Sequence, residues 1–189
     1  MSCLFYRGGR SALSILTTLF VGLSFLAVGC VQDSSVFGEY WASKRKANEA
    51  TAASTVRMLT IVQEKYSKTY RGKGYAPDLT TLGPGPTGSC PSAGPTAATA
   101  CIIDARLGCA EGTKGVFCTK NNYKFMLQGI GSNFGKCCDD YIIFATPESP
   151  SDGRKDICAI SDFIVRWRDV SKPPSTPVSA ADCEKWDPI

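Results

Sequence analysis

The side chains of this chain with the greatest chemical reactivity are thiols. The 189 residues include ten cysteines and no histidine. Without histidine, the chain can form neither Ser-His or Cys-His nucleophile pairs nor histidine-ligated metal sites. Zinc bound by cysteines alone is disfavoured because no two cysteines are spaced as Cys-x-x-Cys. We therefore expect the cysteines to form disulfides, provided that the chain reaches an oxidising compartment.

The N-terminus predicts that the chain is exported. Arg7 and Arg10 are the only charged side chains before Asp33, and Ala12 to Gly29 is an unbroken run of apolar or small residues. A basic start, an apolar core and small residues before a break are typical of a secretory signal. We expect residues 1–29 to be a signal peptide.

The break itself resembles a bacterial lipoprotein box. It reads Leu26-Ala27-Val28-Gly29-Cys30 and is followed at once by polar residues. The resemblance implies cleavage before Cys30 and acylation of that cysteine. The alternative is an uncleaved anchor, because residues 12–31 are just long enough to span a bilayer. Under either interpretation the domain is exported and tethered to a membrane of the bacterial envelope. As a lipoprotein it would face the periplasm or the cell surface. With an uncleaved anchor it would be held in the inner membrane by a single span.

Export decides the state of the remaining cysteines. Cys3 leaves with the signal and Cys30 takes lipid, so eight remain, which predicts up to four disulfides. The easiest pair to propose is Cys90–Cys101, which closes a loop rich in Pro, Gly and Ala. Adjacent cysteines seldom bond to each other, and we expect separate partners for the neighbouring pair. The eight are Cys90, Cys101, Cys109, Cys118, Cys137, Cys138, Cys158 and Cys183.

Charge and motifs exclude several functions. Cleavage before Cys30 leaves 160 residues with 19 basic (21 less Arg7 and Arg10) and 17 acidic side chains, a net charge near +2. That charge is too small to indicate nucleic-acid binding. The chain has no Walker loop and no dinucleotide fingerprint, so no cofactor is expected. The acids near Asp139 and Asp152 lack the spacing of a calcium loop and are interpreted as turn residues. We expect no enzymatic activity.

The longest regular element predicted is a helix that starts near Lys44. The 27 residues from Lys44 to Tyr70 contain no Pro or Gly, and an apolar stripe recurs at helical spacing. Glycines and a proline at positions 72, 74 and 77 then end the helix. Ser54 and Thr60 are placed on its flank or outer face. The predicted buried stripe comprises Ala52, Val56, Leu59, Gln63 and Tyr66.

This region is similar to the start of the globular domain of type IV pilins and pseudopilins. The likeness is carried by the Ala47-Asn48-Glu49-Ala50 helix and by a loop reading Tyr75-x-Pro77-x-Leu79-x-x-Leu82. Further segments follow in the order of that family, which extends the resemblance over residues 44–168. The prepilin leader of the family is missing, and no glutamate precedes Glu39. The further segments are Cys101–Asp104, Gly112–Lys114, Tyr123–Phe125, Tyr141–Pro147 and Cys158–Arg166.

The rest of the chain predicts strands and loops. Tyr123–Leu127 and Tyr141–Phe144 are strand-like, and Ile157–Ile160 with Phe163–Arg168 form a closing hairpin. Ile102–Ala110 is predicted as a short helix. The fold class is α+β, with the long helix packed on one face of a three- to four-stranded antiparallel sheet and disulfide-rich loops.

These observations define four segments and a function. Residues 1–29 are a signal peptide, 30–43 a tether, 44–168 a pilin-like domain and 169–189 a Pro-rich irregular tail that Cys183 can hold. We expect a structural or adhesive envelope protein, an accessory part of a type IV pilus or a type II secretion-like system. The alternative is an envelope lipoprotein that binds a partner through loops such as Leu82–Ala100 and Gly129–Lys136, with no role in filaments.

Overall fold

The computed structural model describes residues 33–109, 117–131 and 137–189. The predicted signal peptide and Cys30 lie outside the described residues. The chain divides after Ala42 into two units, and the domain analysed below is Ser43–Ile189. The elements of the described residues, in chain order, are α1 (Asp33–Thr69), α2 (Leu79–Leu82), β1 (Cys118–Lys120), β2 (Tyr123–Ile130), β3 (Asp140–Pro147), β4 (Lys155–Ile160), β5 (Arg166–Asp169), α3 (Ala180–Cys183) and β6 (Asp187–Pro188).

Helix α1 confirms the stripe that the sequence predicts, and it starts earlier than Lys44. All five stripe residues are buried, and Val56 and Leu59 are completely so. Thr60 corrects the prediction: it is only 2% exposed, whereas the next residue, Ile61, is 62% exposed. The Thr60 hydroxyl donates to the Arg57 carbonyl oxygen, so a polar side chain is accommodated within the buried face.

The sheet has six antiparallel strands in the order β1-β2-β3-β4-β5-β6. The α+β class is confirmed, whereas the expected three or four strands were too few. The two unpredicted strands are the edge strands β1 and β6, of three and two residues. Such short segments carry too few residues to show a period-two pattern, so alternation of apolar and polar residues could not reveal them.

A tight turn joins β1 to β2. Lys120 pairs with Tyr123, which leaves only Asn121 and Asn122 to reverse the chain. Both have positive φ, 50° and 63°. Asparagine tolerates this conformation better than most residues, and a two-residue turn with positive φ at both positions matches the twist of a hairpin. The Asn-Asn pair was therefore a turn signal that could have revealed β1.

The sheet is buried on both faces. One face, here called the helix face, packs Phe125, Ile143 and Ile157 into a single apolar cluster with the α1 stripe. On the opposite face, here called the tail face, Met126, Ile142 and Phe144 cluster with residues of the C-terminal segment. Those C-terminal residues are Val178, Ala180, Cys183 and Trp186.

The C-terminal segment is thus more ordered than the sequence predicted. Residues 169–189, expected to be irregular, include α3 and the edge strand β6. The Trp186 ring lies 6.3 Å from that of Phe144, edge on, and the Arg168 guanidinium lies 4.4 Å from the Trp186 centroid. A Pro-rich composition suggests irregular structure locally, but here packing against the sheet decides the outcome.

Two predicted elements differ from the structure. Strand β5 starts at Arg166 instead of Phe163, because Phe163 has a positive φ and Asp162 accepts hydrogen bonds from the Ile164 N–H and the Arg166 guanidinium. The turn between β4 and β5 is therefore longer than predicted. The short helix predicted from Ile102 is absent from its described residues, where the chain forms turns. Cys101, just before this segment, and Cys109, near its end, both have positive φ, so a regular helix can extend across neither end of it.

A connection between α1 and the sheet runs through residues 73–77. The side-chain amide of Gln63, fully buried, donates to the Ala76 carbonyl oxygen at 3.0 Å and accepts from the Ala76 N–H at 2.8 Å. On the other side, the Gly129 N–H donates to the Pro77 carbonyl oxygen at 2.8 Å. The loop therefore satisfies its buried backbone groups against the helix and against β2 at once.

Packing of α1 can be tested with one pair of substitutions. Leu59→Asp places an unpartnered carboxylate in the helix-face cluster and should lower the free energy of unfolding by at least about 3 kcal/mol. Ile61→Asp, the matched control on the exposed side, should change it by less than about 1 kcal/mol. Urea denaturation followed by circular dichroism measures both. Equal effects at the two positions would contradict the packing of this helix on the sheet.

Candidate functional site

Six of the eight domain cysteines form three disulfides. The pairs are Cys90–Cys101, Cys109–Cys118 and Cys158–Cys183, with Cα–Cα distances of 6.0, 5.0 and 6.0 Å. These distances lie within the ordinary range for a disulfide. The first pair is the one that the sequence suggested. Cys30, the predicted lipid site, lies outside the described residues.

The pair Cys158–Cys183 joins the C-terminal segment to the centre of the sheet. Both residues are completely buried in the tail-face cluster. Cys158 lies in β4 opposite Phe144, and Cys183 ends α3. The Ser179 hydroxyl caps α3 by accepting from the Asp182 N–H at 3.1 Å. The disulfide therefore holds in place the helix whose neighbours, Val178 and Trp186, cover Phe144.

Cys137 and Cys138 remain as thiols, the first exposed and the second buried. The sequence predicted a separate partner for each. All the other cysteines of residues 90–183 are paired among themselves, so neither has such a partner within the described domain. That prediction was wrong, because the three disulfides use all six of the other cysteines between residues 90 and 183.

The charged groove of the domain lies between α1 and strands β4 and β5 of the sheet. It encloses about 220 Å³. Ala50, Ala53 and Ile157 contribute apolar surface, and Trp167 forms a flat aromatic wall. Ile157 and Trp167 are register partners, so their side chains share the helix face. The remaining lining residues are Lys46, Glu49, Lys155 and Ile189.

The electrostatics of this groove are set by two ammonium groups and one carboxylate. The Lys155 ammonium lies 3.5 Å from the centroid of the Trp167 ring, a favourable cation–π position. Glu49 accepts a hydrogen bond from the Arg154 N–H at 2.9 Å. That hydrogen bond leaves the charge of Glu49 in place, so the two ammonium groups exceed it by one positive charge, and Lys155 covers one face of the Trp167 ring. This arrangement suits a small anion with a planar apolar body.

Near the groove, the Ala47–Ala50 segment attaches α1 to the loop between β3 and β4. The Asn48 amide donates to the Asp152 carbonyl oxygen at 2.9 Å, in addition to the contact of Glu49 with Arg154. Gly153 of this loop is required by close packing, since a Cβ there would lie 2.4 Å from the Tyr123 hydroxyl oxygen. These motif residues therefore position the rim of the groove.

The acidic residues that could supply oxygen ligands for calcium do not lie close together. Asp139 and Asp140 lie at the start of β3, whereas Glu148 and Asp152 follow its end. Seven strand residues lie between Asp140 and Glu148, which separates the two groups by roughly 26 Å. Among the described residues, no three or more cysteine or acidic side chains are grouped so as to hold a metal ion. The Asp152 carboxylate instead accepts from the Ser149 hydroxyl, as expected of a turn acid.

The other buried polar groups are structural in character. Asp156 is fully buried on the tail face, where its carboxylate accepts two hydrogen bonds from Arg168 at 3.2 and 3.0 Å. Burial raises the pKa values of the Tyr123 and Tyr141 hydroxyls well above their usual range. Both therefore stay protonated at neutral pH and are poor candidates for proton transfer.

Comparison with protein-family models, curated proteins and solved structures found no match. The likeness to pilins thus remains a prediction from the sequence. Within residues 33–109, 117–131 and 137–189, no helix combines the length and the apolar character needed to cross a bilayer.

The role of the Cys158–Cys183 disulfide can be measured through the C-terminal segment. The double variant Cys158→Ala/Cys183→Ala opens a loop of sequence separation 25 and should lower the free energy of unfolding by about 3.5 kcal/mol. Amides of residues 180–189 should also lose protection from hydrogen exchange. The control Cys90→Ala/Cys101→Ala, on the exposed loop, should leave that protection intact. Retained protection in the first variant would show that the disulfide does not hold this segment.

Proposed function

We propose that this protein is an exported bacterial envelope protein, tethered to a membrane through lipid on Cys30, whose disulfide-bonded domain serves a structural or adhesive role. The observation that supports export best is the set of three intramolecular disulfides. Such bonds persist in oxidising compartments and are rare in the cytosol. Agreement between an N-terminal signal pattern and a disulfide-rich domain is stronger support than either feature alone.

The proposal extends to a pilin-like scaffold in an accessory part of a type IV pilus or a type II secretion-like system. A long helix that buries one stripe on an antiparallel sheet, followed by a packed loop and consecutive strands, is consistent with it. Lipidation at Cys30 would remove the apolar segment through which pilins polymerise. The protein would then act beside a filament, at the membrane, and not as a repeating subunit.

A non-catalytic role is also part of the proposal. The histidine-free sequence removes the side chain that most often transfers protons near neutral pH.

The membrane tether is tested at Cys30. Cys30→Ala should abolish incorporation of labelled palmitate and leave uncleaved precursor, because the acylated residue and the cleavage site are lost together. Cys3→Ala is the matched control and should be labelled and processed as the wild type is. Two or more acyl chains hold a protein stably on a bilayer, so the wild type should fractionate with membranes. A wild-type protein without label and with residues 1–29 intact would favour the uncleaved single-span anchor of the inner membrane.

The second candidate function is a binding module of the envelope, which the groove at Trp167 and Lys155 favours. Its two ammonium groups outnumber its one carboxylate, and its lining is otherwise apolar, which suits a small carboxylate with a flat apolar body. Under this proposal the groove, more than the loops suggested by the sequence, receives the ligand. Of those loops, Gly129 and Ile130 belong to β2, and residues 132–136 lie outside the described part of the chain.

Binding at the groove can be tested with benzoate as the probe. Nuclear magnetic resonance titration should shift the indole N–H signal of Trp167, with a dissociation constant of about 1 mM, as expected for so small a ligand. Lys155→Gln should weaken binding about tenfold through loss of one charge-assisted contact. Lys124→Gln, outside the groove, should leave the titration unchanged. If the Trp167 signal does not move at benzoate concentrations well above about 1 mM, this class of ligand is excluded.

A further inference from the structure

Two adjacent thiols are left over when the disulfides of the domain have formed. Cys137 and Cys138 are unpaired, whereas the other six cysteines between residues 90 and 183 are bonded to one another. The full sequence contains only two more, Cys3 and Cys30. In the proposed function, which this inference rests on, Cys3 is removed with the signal and Cys30 carries lipid. Within the exported chain, each of the two thiols therefore has only the other as a partner.

The backbone of the two cysteines is held against the loop that follows α1. The Cys137 N–H donates to the Lys73 carbonyl oxygen at 3.0 Å, and the Tyr75 N–H donates to the Cys138 carbonyl oxygen at 2.9 Å. Between these bonds lies Gly74, with φ of 76°, where a Cβ would approach the Cys138 carbonyl oxygen to 2.2 Å. Only glycine fits so close a contact. The two cysteines are thus fixed in position, between this loop and β3.

The two side chains differ in access to solvent. Cys138 is 3% exposed and lies against Gly129, where a Cβ would meet its sulfur at 2.2 Å. Burial is the main cause that raises the pKa of Cys138 to about 12, and a hydrogen bond with the Cys137 thiol adds to it. The sulfur atoms are therefore neighbours, the buried one stays a thiol at neutral pH, and the exposed Cys137 is the one that an external oxidant can reach.

We propose that Cys137 and Cys138 are a modification site, oxidised after export to a disulfide between adjacent residues. The oxidant is a second protein that carries an exposed disulfide. The Cys137 thiolate attacks that disulfide, forms a mixed disulfide and displaces one thiolate of the oxidant. Cys138 then loses its proton and attacks the Cys137 sulfur, which releases the second thiolate. The two cysteines lose two protons and two electrons, and the oxidant is reduced to a dithiol.

This bond should be the most easily reduced of the four. Neighbouring Cα atoms are about 3.8 Å apart across a trans peptide, below the range of about 4.4–6.8 Å that disulfides ordinarily span. The strain favours the dithiol, and Cys137 is open to reductants. Cys158 and Cys183, by contrast, are completely buried. Exposed and strained disulfides belong to the labile, regulatory class, so the pair can report the redox state of the envelope while the domain stays folded.

A single peptide can reveal the modification. The full-length protein is purified from an exporting host without reductant, alkylated while denatured and digested with trypsin. Cleavage after Lys136 and Arg154 yields a peptide that contains both adjacent cysteines and no others. We expect it unalkylated and lighter than the dithiol form by two hydrogen atoms. The same peptide with both cysteines alkylated, or linked to a second copy of the chain, would overturn the proposal.

Two further measurements sharpen the test. In graded dithiothreitol, the adjacent pair should open at a concentration at least about tenfold lower than that which opens Cys158–Cys183; the reverse order would contradict the lability. In Cys138→Ser, Cys137 loses its partner and should become alkylatable. If six cysteines are protected and only Cys137 and Cys138 are alkylated in the wild type, this inference fails and the export proposal stands. If all eight are alkylated, the export proposal itself fails.

Discussion

The constraint on which the rest of this structure depends is the burial of both faces of β3. From Tyr141 to Pro147 every residue of this strand is buried, so its alternate side chains need an apolar layer on each side. The α1 stripe supplies one layer and the C-terminal segment supplies the other. An antiparallel sheet can leave one face in water, but Ile142 and Phe144 point away from α1 and would then be exposed. The second layer is too short to be stable alone, since α3 has four residues and β6 two, and the Cys158–Cys183 disulfide joins it covalently to the strand beside β3.

The same dependence explains where the polar side chains are buried. Gln63 lies within the apolar stripe of α1, yet the nitrogen and the oxygen of its side-chain amide are both hydrogen-bonded to Ala76. Its burial therefore costs little and ties the loop to the helix. Asp156 occupies the tail face only because Arg168 reaches it, and the Arg168 guanidinium in turn lies over Trp186. These two buried polar side chains thus each connect separate parts of the domain.

The proposed function and the adjacent thiols are linked through the compartment of the protein. In the proposed oxidising envelope the three separated pairs form, and among the described cysteines Cys137 and Cys138 are left only with each other. Their backbone is held by the loop of residues 73–77, the loop that Gln63 also binds. A change in the bond between the two cysteines would therefore occur next to the connection between helix and sheet. Reduction there leaves the three other disulfides intact, which separates a redox response from unfolding.

Local pattern determined a good part of this protein, and long-range contacts determined the remainder. The α+β class, the buried α1 stripe and the Cys90–Cys101 pair could be predicted, because helical period, apolar runs and a short loop between cysteines are encoded within neighbouring residues. The edge strands β1 and β6 could not be predicted from alternation, since two or three residues carry no period of their own, and only the Asn121-Asn122 turn signals β1. Thr60 was placed on the exposed side, but close packing buries it. Ile102–Ala110 was predicted as a helix, but the backbone has positive φ at Cys101 and Cys109, just before and near the end of that segment. The groove and the two unpaired thiols depend on which distant residues meet, so only the tertiary structure could decide them.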